Sequence, residues 1–184
     1  MKSLRGQFLV ASPHLGDANF YHTVVLMIQH DQQGAFGLVV NRPSDTSLKD
    51  VWQQVDQTPC ASSQPLFLGG PIEGPLMAIH TRADSSDAEI LPDLHFATQR
   101  EHLQQVVGRE ALPFRVFTGY AGWAPGQLDG EMEAGGWLTL PATAALAFFD
   151  PSDELWQEAV HRIGGEILGQ ALRRDDLPGD VSMN

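Results

Sequence analysis

The chain is poor in cysteine, poor in basic residues and without long apolar runs. A single cysteine, Cys60, stands among 184 residues. One thiol cannot close an internal disulfide or build a cysteine-rich zinc site, and it fits a reducing cytoplasm. Eleven Lys and Arg face twenty-three Asp and Glu, a formal charge of −12. Nucleic acid is gripped by cations that replace its condensed counterions, so this balance disfavours direct nucleic-acid binding. No apolar run approaches the roughly eighteen residues that a membrane helix needs. The short run Phe8–Ala11 lacks the length of a signal peptide's core, so Met1 is expected to be the mature start. A glycine-rich phosphate loop ending in Lys, a dinucleotide fingerprint, a nucleophile elbow and a paired-histidine zinc helix are all missing.

What remains is a composition 42% hydrophobic, enough for one globular domain over residues 1–184. Residues 175–184 are expected to fray. Thr23–Ile28 is a continuous β-branched run, and Gly37–Val40 follows a turn at Asp31–Gly34, so the two form a hairpin. Residues 44–52 hold a short helix capped by Ser47, with Leu48, Val51 and Trp52 inward. Leu66–Leu68, Leu76–Ile79, Arg115–Gly119 and Trp137–Leu140 are further strands. Residues 82–93 read as an acidic loop. Thr98 and Glu101 are spaced as a capping box before a helix with Leu103, Val106 and Val107 on one face. Asp150–Pro151 opens a last helix whose stripe is Leu155, Trp156, Ala159, Val160 and Ile163, and Gly164–Gly165 breaks or kinks it. Strands and helices do not alternate as βαβ units. The expected class is therefore α+β, a mixed and largely antiparallel coiled, bulged sheet flanked by helices.

Chemistry is sparse. His14, His22 and His30 recur every eight residues, but Pro13 and Gly16–Asp17 interrupt any strand that would align them, so no metal site is assigned. No cofactor is expected. The segment from Gly119 to Glu131 runs from a strand through small residues into a helix near Ala124–Pro125. Free amides there suit an anion, Trp123 offers a flat wall, and Gln127 and Glu131 share a helix face. Tyr120 belongs to the same turn. Asn41 and Arg42 close the hairpin, Asn41 as a turn residue and Arg42 as a fork for an anion. Gly69–Gly70 is a tight turn or a backbone cradle. These seven residues (Asn41, Arg42, Gly69, Gly70, Tyr120, Trp123 and Gln127) are the ligand-binding candidates. His30 and His80, with Glu131 to orient one of them, are the candidates for acid–base work. Either these blocks line one groove, with Trp123 as wall and Arg42 as fixed charge, or they specify the fold.

Three blocks taken together resemble the YqgE/AlgH family, UPF0301. The first runs from Gly6 to Pro13, through Phe20, Thr23–Val25 and His30, to Gly34–Pro43. The second is Gly69–Pro71 with His80. The third is Gly119–Trp123 through Gln127–Leu128, Glu131 and Trp137. The resemblance implies a bacterial cytoplasmic protein and carries the label of transcriptional regulator, without an assigned reaction. The chain departs from the family pattern at Gln29, where an acidic residue is common, and at Asp129, where Glu is common. The expected function is regulation or binding through a small anionic ligand or a protein partner. The alternative is a hydrolase or transferase acting on a small polar metabolite with a His/Glu site.

Overall fold

A computed structural model describes residues 2–13, 15–109, 113–149 and 153–175. His14, the Asp150–Pro151 helix opening and the tail from 176 onward lie outside the described residues. The strands are β1 (Gln7–Ala11), β2 (Val24–Asp31), β3 (Gly34–Val39), β4 (Pro43–Ser47), β5 (Pro65–Leu68), β6 (Met77–His80), β7 (Ala88–Leu91), β8 (Leu94–Ala97), β9 (Phe114–Thr118), β10 (Ala121–Trp123) and β11 (Trp137–Pro141). The helices are α1 (Leu48–Val55), α2 (Arg100–Val107), α3 (Gln127–Glu133), α4 (Ala144–Ala147) and α5 (Asp153–Asp175). The class is α+β, but the strands divide between two sheets instead of forming one.

The first sheet has the order β10-β3-β2-β1-β11 and is antiparallel throughout; the second has the order β4-β5-β9-β6-β8-β7, with β5 and β9 parallel. Alternation along the strands accounts for the layering, because successive side chains leave opposite faces. Val24, Leu26 and Ile28 of β2 meet Phe67, Ile79 and Phe117 of the second sheet in a central core. Val25 and Met27 point the other way, to an outer core with Trp123, Leu128 and Trp137. A third core lies outside the second sheet, where Leu48 and Trp52 of α1 and Leu103, Val106 and Val107 of α2 cover Ala78, Ala97 and Val116. The long helix α5 adds Leu155, Ala159 and Ile163 to the central core. Trp156 fixes its angle by donating from Nε1 to the Ala11 carbonyl at 2.9 Å.

Four local expectations fail for identifiable reasons. Residues 88–91 form an edge strand, whose buried Ile90 alternates with the exposed Glu89, too short a signal to stand out among Asp and Ser. Strand β4 precedes α1, and Ser47, its N-cap, makes no side-chain cap bond. The Thr98 capping box is absent. The amides of Thr98 and Gln99 donate instead to Asp87 at 2.6 and 2.9 Å, so a loop carboxylate does the capping from across the fold. Gly164–Gly165 does not break α5, which continues to Asp175. Both glycines have open space at the Cβ position, and the apolar stripe before them anchors the helix.

Candidate functional site

The chain crosses between the two sheets twice at one corner. One crossing is β3 to β4 through Val40–Arg42, and the other is β9 to β10 through Gly119–Tyr120. Strands that change sheets must bend sharply and let backbones approach. Gly69 meets that need: its amide donates to the Thr118 carbonyl at 2.9 Å, and its own carbonyl accepts from the Val39 amide at 2.8 Å. Ile72 and Tyr120 exchange both backbone bonds, at 3.1 and 2.9 Å. A Cβ on Gly69 would lie 2.3 Å from the Gly119 oxygen, and one on Gly70 would lie 2.1 Å from the Tyr120 carbonyl carbon. The glycines of the second and third sequence blocks therefore face each other, with main chain filling the space between them.

Asn41 and Arg42 belong to the same corner. Asn41 Oδ1 accepts from the Val24 amide, and its Nδ2 donates to the His22 carbonyl, both at 2.9 Å. The Arg42 guanidinium donates to the carbonyls of Asn19 and Tyr21. The fork expected to await an anion is thus committed to backbone. Asp17 favours its charge, but burial is the larger effect and lowers the Arg42 pKa.

The turn after β10 builds a second arrangement, a clasp around one carboxylate. Glu131 Oε2 accepts from Trp123 Nε1 at 3.0 Å and from Trp137 Nε1 at 2.8 Å. Its Oε1 accepts from Gln127 Nε2 at 2.9 Å, and Gln127 Oε1 accepts from the Ala124 amide at 3.0 Å. Phe20 lies against both indoles, its ring centroid 6.1 Å from that of Trp123 and 5.2 Å from that of Trp137. Gln127 and Glu131 share a face of α3, and their polar atoms are turned onto the protein's own indoles and amides. Phe20 and Trp137 as ring partners, and the two-indole grip on Glu131, escaped the sequence reading. A Trp six residues beyond the Glu was the available signal.

The two histidine candidates occupy different places. His30 lies one residue before the end of β2, its Nδ1 accepting from the Leu4 amide at 3.2 Å and its Nε2 facing Asp129 at 3.8 Å. The acid beside His30 is therefore Asp129, not Glu131. His80 sits opposite Phe114 in the β6–β9 register, whereas the corner follows Thr118 at the other end of β9. Four residues of strand separate those ends, roughly 13 Å. His80 thus stands at the other end of β9 from the corner where Arg42, Gly69, Gly70 and Tyr120 gather.

His80 is 1% exposed and His95 6%, and they are register partners with ring centroids 5.9 Å apart. His80 Nδ1 accepts from the Arg82 amide at 3.2 Å. That bond leaves the proton of the neutral ring on Nε2, and neither this atom nor His95 Nδ1 has a hydrogen-bond partner among the described residues. Burial first, then the charges of His95, Arg82 and His102 against the pull of Asp84, lowers the His80 pKa from 6.5 to about 4. Between those values the unfolded chain takes a proton that the folded chain refuses. Stability attributable to His80 is thus complete above pH 6.5, falls as pH drops through that window and levels below it. After allowance for solvent screening the effect is on the order of 2 kcal/mol. Urea unfolding between pH 7 and pH 4 should show this slope, and His80→Asn, which keeps an acceptor for the Arg82 amide, should flatten it. An unchanged slope in the variant would assign the acid sensitivity to other groups.

Two sheets, a glycine-packed crossing and a carboxylate clasped by two indoles define an α+β protein. The AlgH-like family model matches residues 8–168, and the chain belongs to that family. A UPF0301 protein of Stenotrophomonas maltophilia is 37% identical over 97% of each chain. One from Chlorobium luteolum is 35% identical over 95% of this chain and 93% of its own. The solution structure of the AlgH protein from Pseudomonas aeruginosa is similar, with 34% identity and a TM-score of 0.73 over 89% of this chain and 90% of that one. The crystal structure of a protein from Corynebacterium diphtheriae has 25% identity and a TM-score of 0.68 over 97% and 90%. Among the described residues, no helix is long and apolar enough to cross a membrane.

Proposed function

We propose that this protein is a cytoplasmic binding and regulatory protein that acts through a ligand or a protein partner and does not read DNA directly. The observation that carries this reading is the use of the motif side chains. Arg42, Asn41, Gln127 and Glu131 spend their polar atoms on the protein's own backbone and indoles. With Glu131 held by two indoles and His30 facing Asp129, the expected His/Glu pair is not assembled, which supports a binding role over a catalytic one. The charge of −12 adds repulsion between this chain and a polyanion. Purified protein and duplex DNA should give no salt-sensitive electrophoretic shift at moderate salt. A tight shift weakening steeply with added salt would make the regulator label literal and overturn this reading. The alternative, an enzyme acting on a small polar metabolite, rests on His30 facing Asp129 at 3.8 Å. It requires a turnover that disappears in Asp129→Asn while the melting temperature holds.

A further inference from the structure

His30 is held from two sides by segments far apart in the chain, and the corner and the clasp use neither contact. The register of β2 against β3 shifts between Met27 and Gln29, a bulge that turns Gln29 out to solvent and leaves His30 buried, 6% exposed. On one side, His30 Nδ1 accepts from the Leu4 amide at 3.2 Å, and the His30 carbonyl accepts from Ser3 Oγ at 2.8 Å. Leu4 is partly buried there against the outer core of Trp123, Leu128 and Trp137. Beyond Leu4 the backbone is fixed again. The Gly6 amide donates to the Met27 carbonyl at 2.9 Å, and the Gln7 amide to the Leu4 carbonyl at 3.0 Å. Any loosening is therefore confined to residues 2–4. On the other side, His30 Nε2 faces Asp129 of α3 at 3.8 Å, and that carboxylate side chain is 43% exposed.

The two contacts respond oppositely to a proton. Because Nδ1 accepts a bond, the neutral ring carries its hydrogen on Nε2, toward Asp129. A second proton can enter only at Nδ1, where it meets the Leu4 N–H, donor against donor. The charged ring gains attraction to Asp129, and to Asp31 beside it in β2. Lys2 and Arg5 stand on either side of Leu4, the Arg5 guanidinium donating to the Glu89 carbonyl, and a positive ring at position 30 repels both. Strand β3, whose Ala35 is the register partner of His30, has no ionisable residue between Gly34 and Val39. On α3, Glu131 is engaged by the two indoles, and Glu133, one turn past Asp129, adds to its field. Protonation thus weakens the grip of the leading segment on His30 and strengthens that of α3.

We propose that His30 is a pH-operated latch: its neutral ring holds residues 2–4 against the outer core, and its protonated ring releases them and pairs with Asp129. The device goes beyond the binding reading above and does not depend on it. Amide NMR of the isotope-labelled full chain, recorded from about pH 8 to about pH 5, tests it. The Leu4 amide should shift as its hydrogen bond is lost, with a midpoint that coincides with titration of the His30 ring protons. The heteronuclear NOE at Ser3 and Leu4 should fall by about half, while that of Gly6, bonded to Met27, holds. His30→Gln offers an acceptor oxygen without a titrating ring and should leave the Leu4 amide independent of pH. Asp129→Asn removes the attraction for the charged ring and should move the midpoint to lower pH by about half a unit. A Leu4 amide that does not titrate in the parent would overturn the proposal. So would a titration that survives in His30→Gln, or a midpoint unmoved in Asp129→Asn.

Discussion

Glu131→Ala should destabilise the protein by about 3–5 kcal/mol in equilibrium urea unfolding. The substitution removes the acceptor from two indole N–H groups whose residues are 6% and 3% exposed, Trp123 and Trp137. A buried donor left without a partner costs about 1–3 kcal/mol, and here two are stranded together. Gln127 loses its contact with Oε1 as well. Glu131→Gln keeps one carbonyl oxygen for the indoles but turns an amide donor toward Gln127, so a smaller loss of about 1–2 kcal/mol is expected. Tryptophan fluorescence reads the clasp directly, since both rings change environment. A stability change below about 1 kcal/mol for Glu131→Ala would show that water replaces the carboxylate without penalty.

Gly70→Ala should be at least as damaging, about 4 kcal/mol or more, with loss of soluble folded protein as the practical outcome. The new methyl would sit 2.1 Å from the Tyr120 carbonyl carbon and 2.3 Å from the Ala121 nitrogen. These are backbone atoms fixed by the paired amides of Ile72 and Tyr120, so no side chain can swing aside. Gly126→Ala is the matched control. Its φ of +74° lies in the left-handed region, against +157° at Gly70, and nothing lies within 4 Å of the added Cβ. That variant should lose only about 1–2 kcal/mol, the usual cost of a left-handed residue. If Gly70→Ala costs no more than Gly126→Ala, the close approach to Tyr120 is not what the glycine at 70 serves.

Much of the fold was legible because its strands carry strong local patterns. Thr23–Ile28 and Gly37–Val40 announced the hairpin, and Leu155, Ala159 and Ile163 announced the buried stripe of α5. The division into two sheets was not legible. It depends on crossings at Val40–Arg42 and Gly119–Tyr120, whose glycines read equally well as turns or as a ligand cradle. Likewise, Asp87 caps α2 across a separation that no spacing rule encodes, while the local capping-box pattern misled. For the candidate site, residue types were visible but commitments were not. Arg42 reads as a free fork until the Asn19 and Tyr21 carbonyls come into place, and Glu131 reads as an orienting acid until two indoles close on it. The outward aim of Gln29 follows from a bulge, a one-residue shift in pairing that depends on the partner strand.

The order of strands in the first sheet bears on how the chain is made. β1 lies between β2 and β11, pairing Gln7 with Pro141 and Ala11 with Trp137. On a ribosome its hairpin-side neighbour emerges almost at once, while its other neighbour is the last strand synthesised. Throughout most of translation, β1 therefore presents an open, apolar edge of the kind that recruits strands from other chains. Trp156 reaches the Ala11 carbonyl later still, as α5 docks. A chain halted before Trp137 lacks the strand that closes this edge, so ribosome-bound fragments ending there should be substrates for chaperones, and release should coincide with emergence of β11 and α5.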